Sequence, residues 1–117
     1  MKSVIIIDDD LDAVNVLNDL CEIYKIPVLA KGYDGKEAIE LYKQYKPDVV
    51  FLDIFMPKYD GFYALEGIRN IDPQAKIIVI TASVDDIVDA RLDKLKPSAF
   101  IRKPYDFKEI IDIINKL

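Results

Sequence analysis

Three aspartates in a row, Asp8-Asp9-Asp10, follow directly on the apolar run Val4-Ile5-Ile6-Ile7, and a fourth, Asp53, follows Val49-Val50-Phe51-Leu52. Thr81 closes a third such run, Ile77-Ile78-Val79-Ile80, and Lys103 comes just after a fourth, Ala99-Phe100-Ile101. Taken singly, these residues have ordinary roles: Asp10 as a helix N-cap, Asp53 as a loop cap, Thr81 as a strand residue, Lys103 as a solvated charge. Taken together they are a poor way to build a core. Unit charges about 5 Å apart repel by roughly 3 kcal/mol per pair at an effective dielectric near 20, so converging carboxylates need a neutralising partner. A hard divalent cation such as magnesium, with its preference for carboxylate, water and phosphate oxygens, suits that donor set. The chain has no histidine, which removes Ser-His-Asp and Cys-His catalysis and the usual zinc sites. Its one cysteine, Cys21, allows no internal disulfide and is expected to be a buried core thiol.

The elements that must position these groups can be read from periodicity. Five short strands are expected at Val4 to Ile7, Pro27 to Ala30, Asp48 to Leu52, Ile77 to Ile80 and Ala99 to Ile101, mostly as continuous apolar runs of the kind buried on both faces. Five helices alternate with them. The first carries Val14, Leu17, Cys21 and Tyr24 on one face and ends before Pro27. The second starts at Asp34 with Glu37 reaching back, turns Ala38, Leu41 and Tyr45 inward and stops before Pro47; the third, capped by Asp60, holds Leu65 and Ile68 and stops before Pro73. Ser83 with Asp86 three residues on marks the start of the fourth, with Ile87, Val88, Leu92 and Leu95 inward. Asp106 with Glu109 opens the fifth, whose stripe is Phe107, Ile110, Ile111, Ile114 and Leu117. Strands and helices alternating in units this short imply right-handed crossovers and a parallel sheet covered on both sides, an α/β three-layer sandwich with ligands beyond the carboxyl ends of its strands. Asp8 to Asp10, Asp53, Thr81 and Lys103 all fall on that edge.

A length of 117 residues suits one domain spanning 1–117, and 51% hydrophobic content with four glycines excludes low-complexity and collagen-like classes. No apolar run approaches the roughly 18 residues of a membrane helix, and the amino terminus runs straight into a strand, so neither a membrane span nor a signal peptide is expected. Sixteen basic against twenty-one acidic residues, a net charge of −5, argue against direct nucleic-acid binding.

The ordered set of residues resembles the receiver domain of two-component response regulators, single-domain members included, and the resemblance runs from Lys2 to Leu117. It is carried by the acid pair Asp8-Asp9, by Asp53 within Val49-Val50-Phe51-Leu52-Asp53-Ile54-Phe55-Met56-Pro57, by Asp60-Gly61, by Thr81-Ala82-Ser83, by Phe100 and by Lys103-Pro104. The resemblance implies a doubly wound, flavodoxin-like (βα)5 sandwich of strand order 2-1-3-4-5. It also implies phosphorelay signalling: Asp53 accepts a phosphoryl group from a partner phosphohistidine on a sensor histidine kinase or histidine phosphotransfer protein. Magnesium would be held by Asp9, Asp53 and the backbone carbonyl of Phe55, with Asp8 acting largely through water. Lys103 and Thr81 would contact phosphoryl oxygens, and Thr81 and Phe100 would form the switch. An effector would read the face made by the fourth helix, fifth strand and fifth helix, with room for a phosphorylation-dependent dimer. The chain would be a cytoplasmic switch with autophosphorylation and slow autodephosphorylation, not an enzyme acting on other substrates. No output domain is expected after the fifth helix, which leaves a free-standing messenger or a piece of a longer regulator.

Two departures from the family pattern stand out. Lys96-Pro97-Ser98-Ala99 replaces a frequent glycine before the fifth strand and stiffens that connection, and the bulky Phe55 stands two residues after Asp53, where its ring cannot orient a water. Phe55 also weighs against the main competing reading, an aspartyl phosphatase of the haloacid-dehalogenase type, which places a general-acid Asp at that position. The complete acid, Thr and Lys set weighs against a pseudo-receiver that binds without phosphorylation.

Overall fold

The computed structural model describes residues 2–82 and 85–117, the side chain of Asp86 apart. Its elements run β1 (Val4–Ile7), α1 (Leu11–Ile23), β2 (Val28–Gly32), α2 (Gly35–Tyr45), β3 (Val49–Leu52), α3 (Gly61–Ile71), β4 (Ile77–Thr81), α4 (Asp86–Leu95), β5 (Ala99–Arg102) and α5 (Phe107–Lys116). All strand pairings are parallel, in the order β2-β1-β3-β4-β5, so the expected doubly wound sandwich is what forms.

The continuous apolar strands explain the layering. β1, β3 and β4 are buried along their whole length, and their alternate side chains feed two separate cores. Ile5, Ile7, Val50, Leu52, Ile77 and Val79 point toward α2, α3 and α4, where they meet Ala38, Leu65, Ile68 and Leu92. Val4, Ile6, Val49, Phe51, Ile78 and Ile80 point the other way, toward Val14, Leu17 and Cys21 of α1 and Phe107, Ile110 and Ile114 of α5. Burial pushes the Cys21 thiol up to about 12, as expected of an inert core cysteine.

The helix starts follow local chemistry. Asp10 accepts from the amides of Asp12 and Ala13, Asp60 from Tyr63, and Asp106 from Lys108. Asp34 accepts from the Glu37 amide at 2.8 Å, while the Glu37 carboxylate reaches one residue further back than a capping box requires, to the Tyr33 amide at 3.1 Å. At the far end of the chain the Lys2 ammonium donates to the carbonyls of Ile114, at 2.9 Å, and Leu117, and so supplies the positive charge that a helix carboxyl terminus favours.

Several sequence expectations need correction. β2 runs from Val28 to Gly32 instead of Pro27 to Ala30, because Lys31 and Gly32 continue the ladder opposite Ile6 and Ile7. As an edge strand it alternates between exposed and covered side chains and lacks the continuous burial of the others. Tyr45 points outward from the last residue of α2, and Tyr42 takes the inner place with its hydroxyl donating to Asp72 at 2.7 Å. Tyr24 is the half-exposed C-cap of α1 and packs on Phe107 with ring centroids 5.0 Å apart. Ile87 is 74% exposed because the inner stripe of α4 is Val88, Leu92 and Leu95, and Ile87 lies about 100° round the helix from Val88. Asp85 caps α4, its carboxylate accepting from the Val88 amide at 2.8 Å; the Ser83 start expected from the sequence lies outside the described residues.

Candidate functional site

Four of the five strands, β1, β3, β4 and β5, carry their chemistry just beyond, or at, the carboxyl end, and backbone hydrogen bonds fix those residues to the neighbouring strand. The Asp8 amide donates to the Gly32 carbonyl at 3.1 Å, the Asp53 amide to Ile7 at 2.9 Å and the Lys103 amide to Thr81 at 2.9 Å. Parallel pairing thereby aligns groups that lie far apart in the chain. Carboxylate oxygens of Asp8, Asp9 and Asp53 all lie within 4.8 Å of one another. Asp8, Asp53 and Thr81 are buried, Asp9 is exposed, and Lys103 is half-buried. Together with Asp10, Phe55 and Ala82 they line an open cavity of about 330 Å³.

The electrostatics of this cluster are uneven. Lys103 Nζ lies 2.8 Å from Asp8 Oδ2, and the other Asp8 oxygen accepts from the Asp10 amide at 3.0 Å, so Asp8 has a counter-charge in direct contact. Burial by itself would lower the Lys103 pKa, but the hydrogen bond and charge of Asp8, joined by the Asp53 charge, outweigh it and the pKa is raised. Asp53 has no cation paired with it among the described residues. Its pKa is pushed up to about 6 by burial first and by the Asp8 charge second, with Lys103, the Ile54 amide and the Thr81 hydroxyl offsetting only a fraction. A carboxylate cluster in which one member is driven toward its protonated form by burial and by a neighbouring negative charge is a fitting receptacle for a divalent cation.

Thr81 is fully buried; its hydroxyl stands near enough to Asp53 to favour the ionised carboxylate, yet it makes no hydrogen bond of full geometry among the described residues. The register pairs Val79 with Phe100 and Thr81 with Arg102, so Phe100 stands diagonally beside Thr81 on the sheet face that carries α3 and α4. Phe100 is half-buried there and lines an open cavity of about 400 Å³ with Leu92, Lys96 and Pro97. Phe55 is 48% exposed at the rim of the Asp53 cavity.

Sequence reasoning singled out the ends of the strands and named Gly61 only within the Asp60-Gly61 pair, without the packing role that the structure gives it or the matching role of Gly35. Gly61 donates its amide to the Ile54 carbonyl at 2.8 Å, and a Cβ there would sit 2.3 Å from the Asp53 carbonyl oxygen and 2.6 Å from Ile54 Cα. Only glycine lets α3 start against the backbone of Asp53. Gly35 allows a similar close approach at the start of α2: its amide donates to the Tyr59 carbonyl at 2.6 Å, and a Cβ would meet the Asp60 carbonyl oxygen at 2.4 Å. The pairing of Lys103 with Asp8 also had no sequence signal beyond the charges themselves.

The likeness to known proteins runs along the same frame. Residues 4–115 match the family described as the response regulator receiver domain. The chemotaxis protein CheY of Thermotoga maritima is 35% identical over 116 residues, covering 99% of this chain and 97% of that protein, and CheY of Bacillus subtilis is 35% identical over 97% of this chain and 94% of its own length. Among solved structures, the CheX-CheY complex of Borrelia burgdorferi with beryllium fluoride and magnesium superposes with a TM-score of 0.90 at 29% identity, over 98% of this chain and 87% of that one. With the matching order of five parallel strands and the acids gathered at their carboxyl ends, this chain belongs to the response regulator receiver domain family.

Proposed function

We propose that this protein is a phosphoacceptor switch in which Asp53 takes a phosphoryl group from a phosphohistidine on a partner protein. Membership of the receiver family places the chain in two-component signalling as a switch. The observation that supports the finer reading is the Thr81 hydroxyl, buried beside Asp53 in the lining of its cavity, near enough to favour the ionised carboxylate yet without a hydrogen bond of full geometry among the described residues. A buried donor short of a full hydrogen bond is costly, and an incoming phosphoryl oxygen would satisfy it.

The ionised Asp53 carboxylate attacks phosphorus in line; the new O–P bond forms as the N–P bond to the donor imidazole breaks, and the departing nitrogen takes up a proton. Lys103 offers a mobile point charge to a phosphoryl oxygen, for which it must loosen its bond to Asp8, and Thr81 donates to another. Asp8, Asp9, Asp53 and the Phe55 backbone carbonyl are the groups that would hold magnesium, which when bound neutralises charge on the carboxylates and on the transferring phosphoryl group. Movement of Thr81 toward the phosphate opens room for the adjacent Phe100 to turn, which changes the face made by α4, β5 and α5 and presents it to an effector protein or to a second copy of the chain. No helix among the described residues is long and apolar enough to cross a membrane, which accords with a cytoplasmic messenger.

Incubation with a small phosphodonor and magnesium, followed by borohydride trapping and peptide mapping, tests the assignment. Label is expected on Asp53 alone and none in Asp53→Asn. Label on Asp8, Asp9 or Asp60 overturns it, and so does an unmodified wild-type chain.

A further inference from the structure

On the face of the sheet that carries α1 and α5, the two helices do not cover the core evenly. The ring of Phe107, the first residue of α5, packs on Tyr24 at the far end of α1, with centroids 5.0 Å apart. The first turns of α1 have only the segment Lys103-Pro104-Tyr105 beside them. That segment is slimmer than a helix, and a hollow of about 410 Å³ remains between it and α1, larger than the cavity of about 330 Å³ around Asp53. Ala13, Val16 and Leu20 form one wall, Pro104 and Tyr105 the other, and Ile6, Phe51 and Ile80 of the sheet lie at the floor. Val16 is 55% exposed, so part of this apolar wall stays in water while the hollow is empty.

One end of the hollow is charged. Asp8, Asp10, Asp12 and Lys103 line it there, three carboxylates against one ammonium. The ammonium is committed to Asp8 at 2.8 Å. One Asp10 oxygen accepts from the amides of Asp12 and Ala13, at 3.0 and 3.4 Å, and the exposed Asp12 carboxylate has no hydrogen bond among the described residues. The end is therefore negative, with one carboxylate free. Ligand pockets of roughly 300–1,000 Å³ are apolar hollows with a few polar groups that fix orientation, and this one has both parts. What complements it is an uncharged, apolar body that ends in a cation.

We propose that the hollow between α1 and the Lys103–Tyr105 segment is a binding site for a small organic amine. The ring or branched chain of the amine lies between Ala13, Val16, Leu20 and Tyr105, and its ammonium points to Asp12 and Asp10. An anion of the same shape is disfavoured, because it would meet two carboxylates and a lysine already paired. The site does not depend on Asp53 taking a phosphoryl group, so the two readings stand or fall separately.

The chain has no tryptophan, so tryptamine can be titrated by its own indole fluorescence. Saturable binding with a dissociation constant of about 1 mM or below is expected, in proportion to its roughly twelve non-hydrogen atoms. Backbone NMR shifts should gather on Ala13, Val16, Leu20 and Tyr105. Indole-3-acetate, the same ring with the opposite charge, should bind at least about tenfold more weakly. Asp12→Asn should weaken tryptamine about two- to fivefold, as loss of one exposed ion pair does, and leave neutral indole unchanged. Ala13→Leu exchanges two good helix formers and fills the hollow, so it should abolish binding of tryptamine and indole alike. Val16→Ser, at an exposed position where folding is not at stake, should weaken both. No saturable binding of tryptamine, shifts centred away from α1 and Tyr105, or equal binding of indole-3-acetate would each overturn the site. So would undiminished affinity in Asp12→Asn, in Val16→Ser or in folded Ala13→Leu.

Discussion

Replacing Asp53 by Asn should stabilise the metal-free protein at neutral pH, by an amount that depends on pH in a defined direction. The carboxyl group is 8% exposed, and its pKa rises from 3.8 in the unfolded chain to about 6, through burial first and the Asp8 charge second. Because the folded-state value lies above the unfolded one, the folded protein keeps a proton that the unfolded chain has already lost, and stability falls as pH climbs from about 4 to about 6. Above that range the full cost is present. A gap of roughly two pKa units corresponds to about 3 kcal/mol at 1.36 kcal/mol per unit. An entropy of unfolding near 2.1 cal/mol/K per residue turns this into about 12 °C of melting temperature for a chain of this length. Asn carries no charge at any of these pH values and avoids the penalty.

The assay is a series of thermal melts of both proteins between pH 4 and 8 in a chelating buffer. The melting temperature of Asp53→Asn minus that of the wild type should be near zero at pH 4, rise through pH 5 to 6 and level off by pH 7. Titrations of other groups occur in both proteins and largely cancel in the difference. Magnesium should narrow the gap at pH 7, since a cation that binds the folded carboxylates stabilises the wild type by mass action. A difference that is flat with pH, or a wild type more stable than the variant at pH 7 without metal, would refute the claim that Asp53 is held ionised against burial and repulsion.

Gly61→Ala should be destabilised by about 3 kcal/mol in urea titrations and should lose phosphoryl uptake, because the new Cβ would fall 2.3 Å from the Asp53 carbonyl oxygen, where only backbone could give way. Lys46 and Lys96 both close helices at positive φ, 45° and 50°, so Lys46→Gly and Lys96→Gly should each gain about 0.5–1 kcal/mol in the same titrations, the left-handed strain outweighing the added backbone entropy. Phe55→Asn keeps the backbone and places an amide at the exposed rim of the site; its phosphorylated form should decay about tenfold faster, if orienting water is worth about 1.4 kcal/mol, and an unchanged decay rate would rule out that role for residue 55.

The legible stretches of the sequence were those whose signal is local. β1, β3 and β4 announce themselves because a strand buried on both faces must be apolar at every position, and Asp10, Asp34, Asp60 and Asp106 announce helix starts because a cap needs a short acceptor at one place. β2 was misplaced because the sheet edge permits Leu29 and Lys31 to face solvent, so its run reads as strand only up to Ala30 although pairing with β1 carries it to Gly32. Tyr42 and Tyr45 could not be ranked by type, and the hydroxyl partner Asp72, thirty residues away, decides which is covered. The same holds for Arg69 and Arg91. Both are long cations whose partners, a carbonyl of the residue closing α4 and a ring of α3, exist only after the helices have packed.

What the fold adds to the residue types is a conflict of charges. Parallel pairing places Asp8 and Asp53 beyond adjacent strands, and the register that fixes them is set by wholly apolar ladders such as Ile7 against Leu52. The strands therefore tolerate a repulsion that the site itself cannot relieve, since the one lysine that reaches it is committed to Asp8 at 2.8 Å. A phosphoryl group bound at Asp53, as proposed, would redistribute Lys103, because a single ammonium cannot serve Asp8 and a new anion equally. Lys103 is bonded through its backbone to Thr81, and Thr81 lies diagonally across the ladder from Phe100. On the proposed reading, a rearrangement at the charged edge would act on the β4–β5 pair directly, and through Phe100 on the face of the sheet that carries α4, opposite the one covered by α1 and α5.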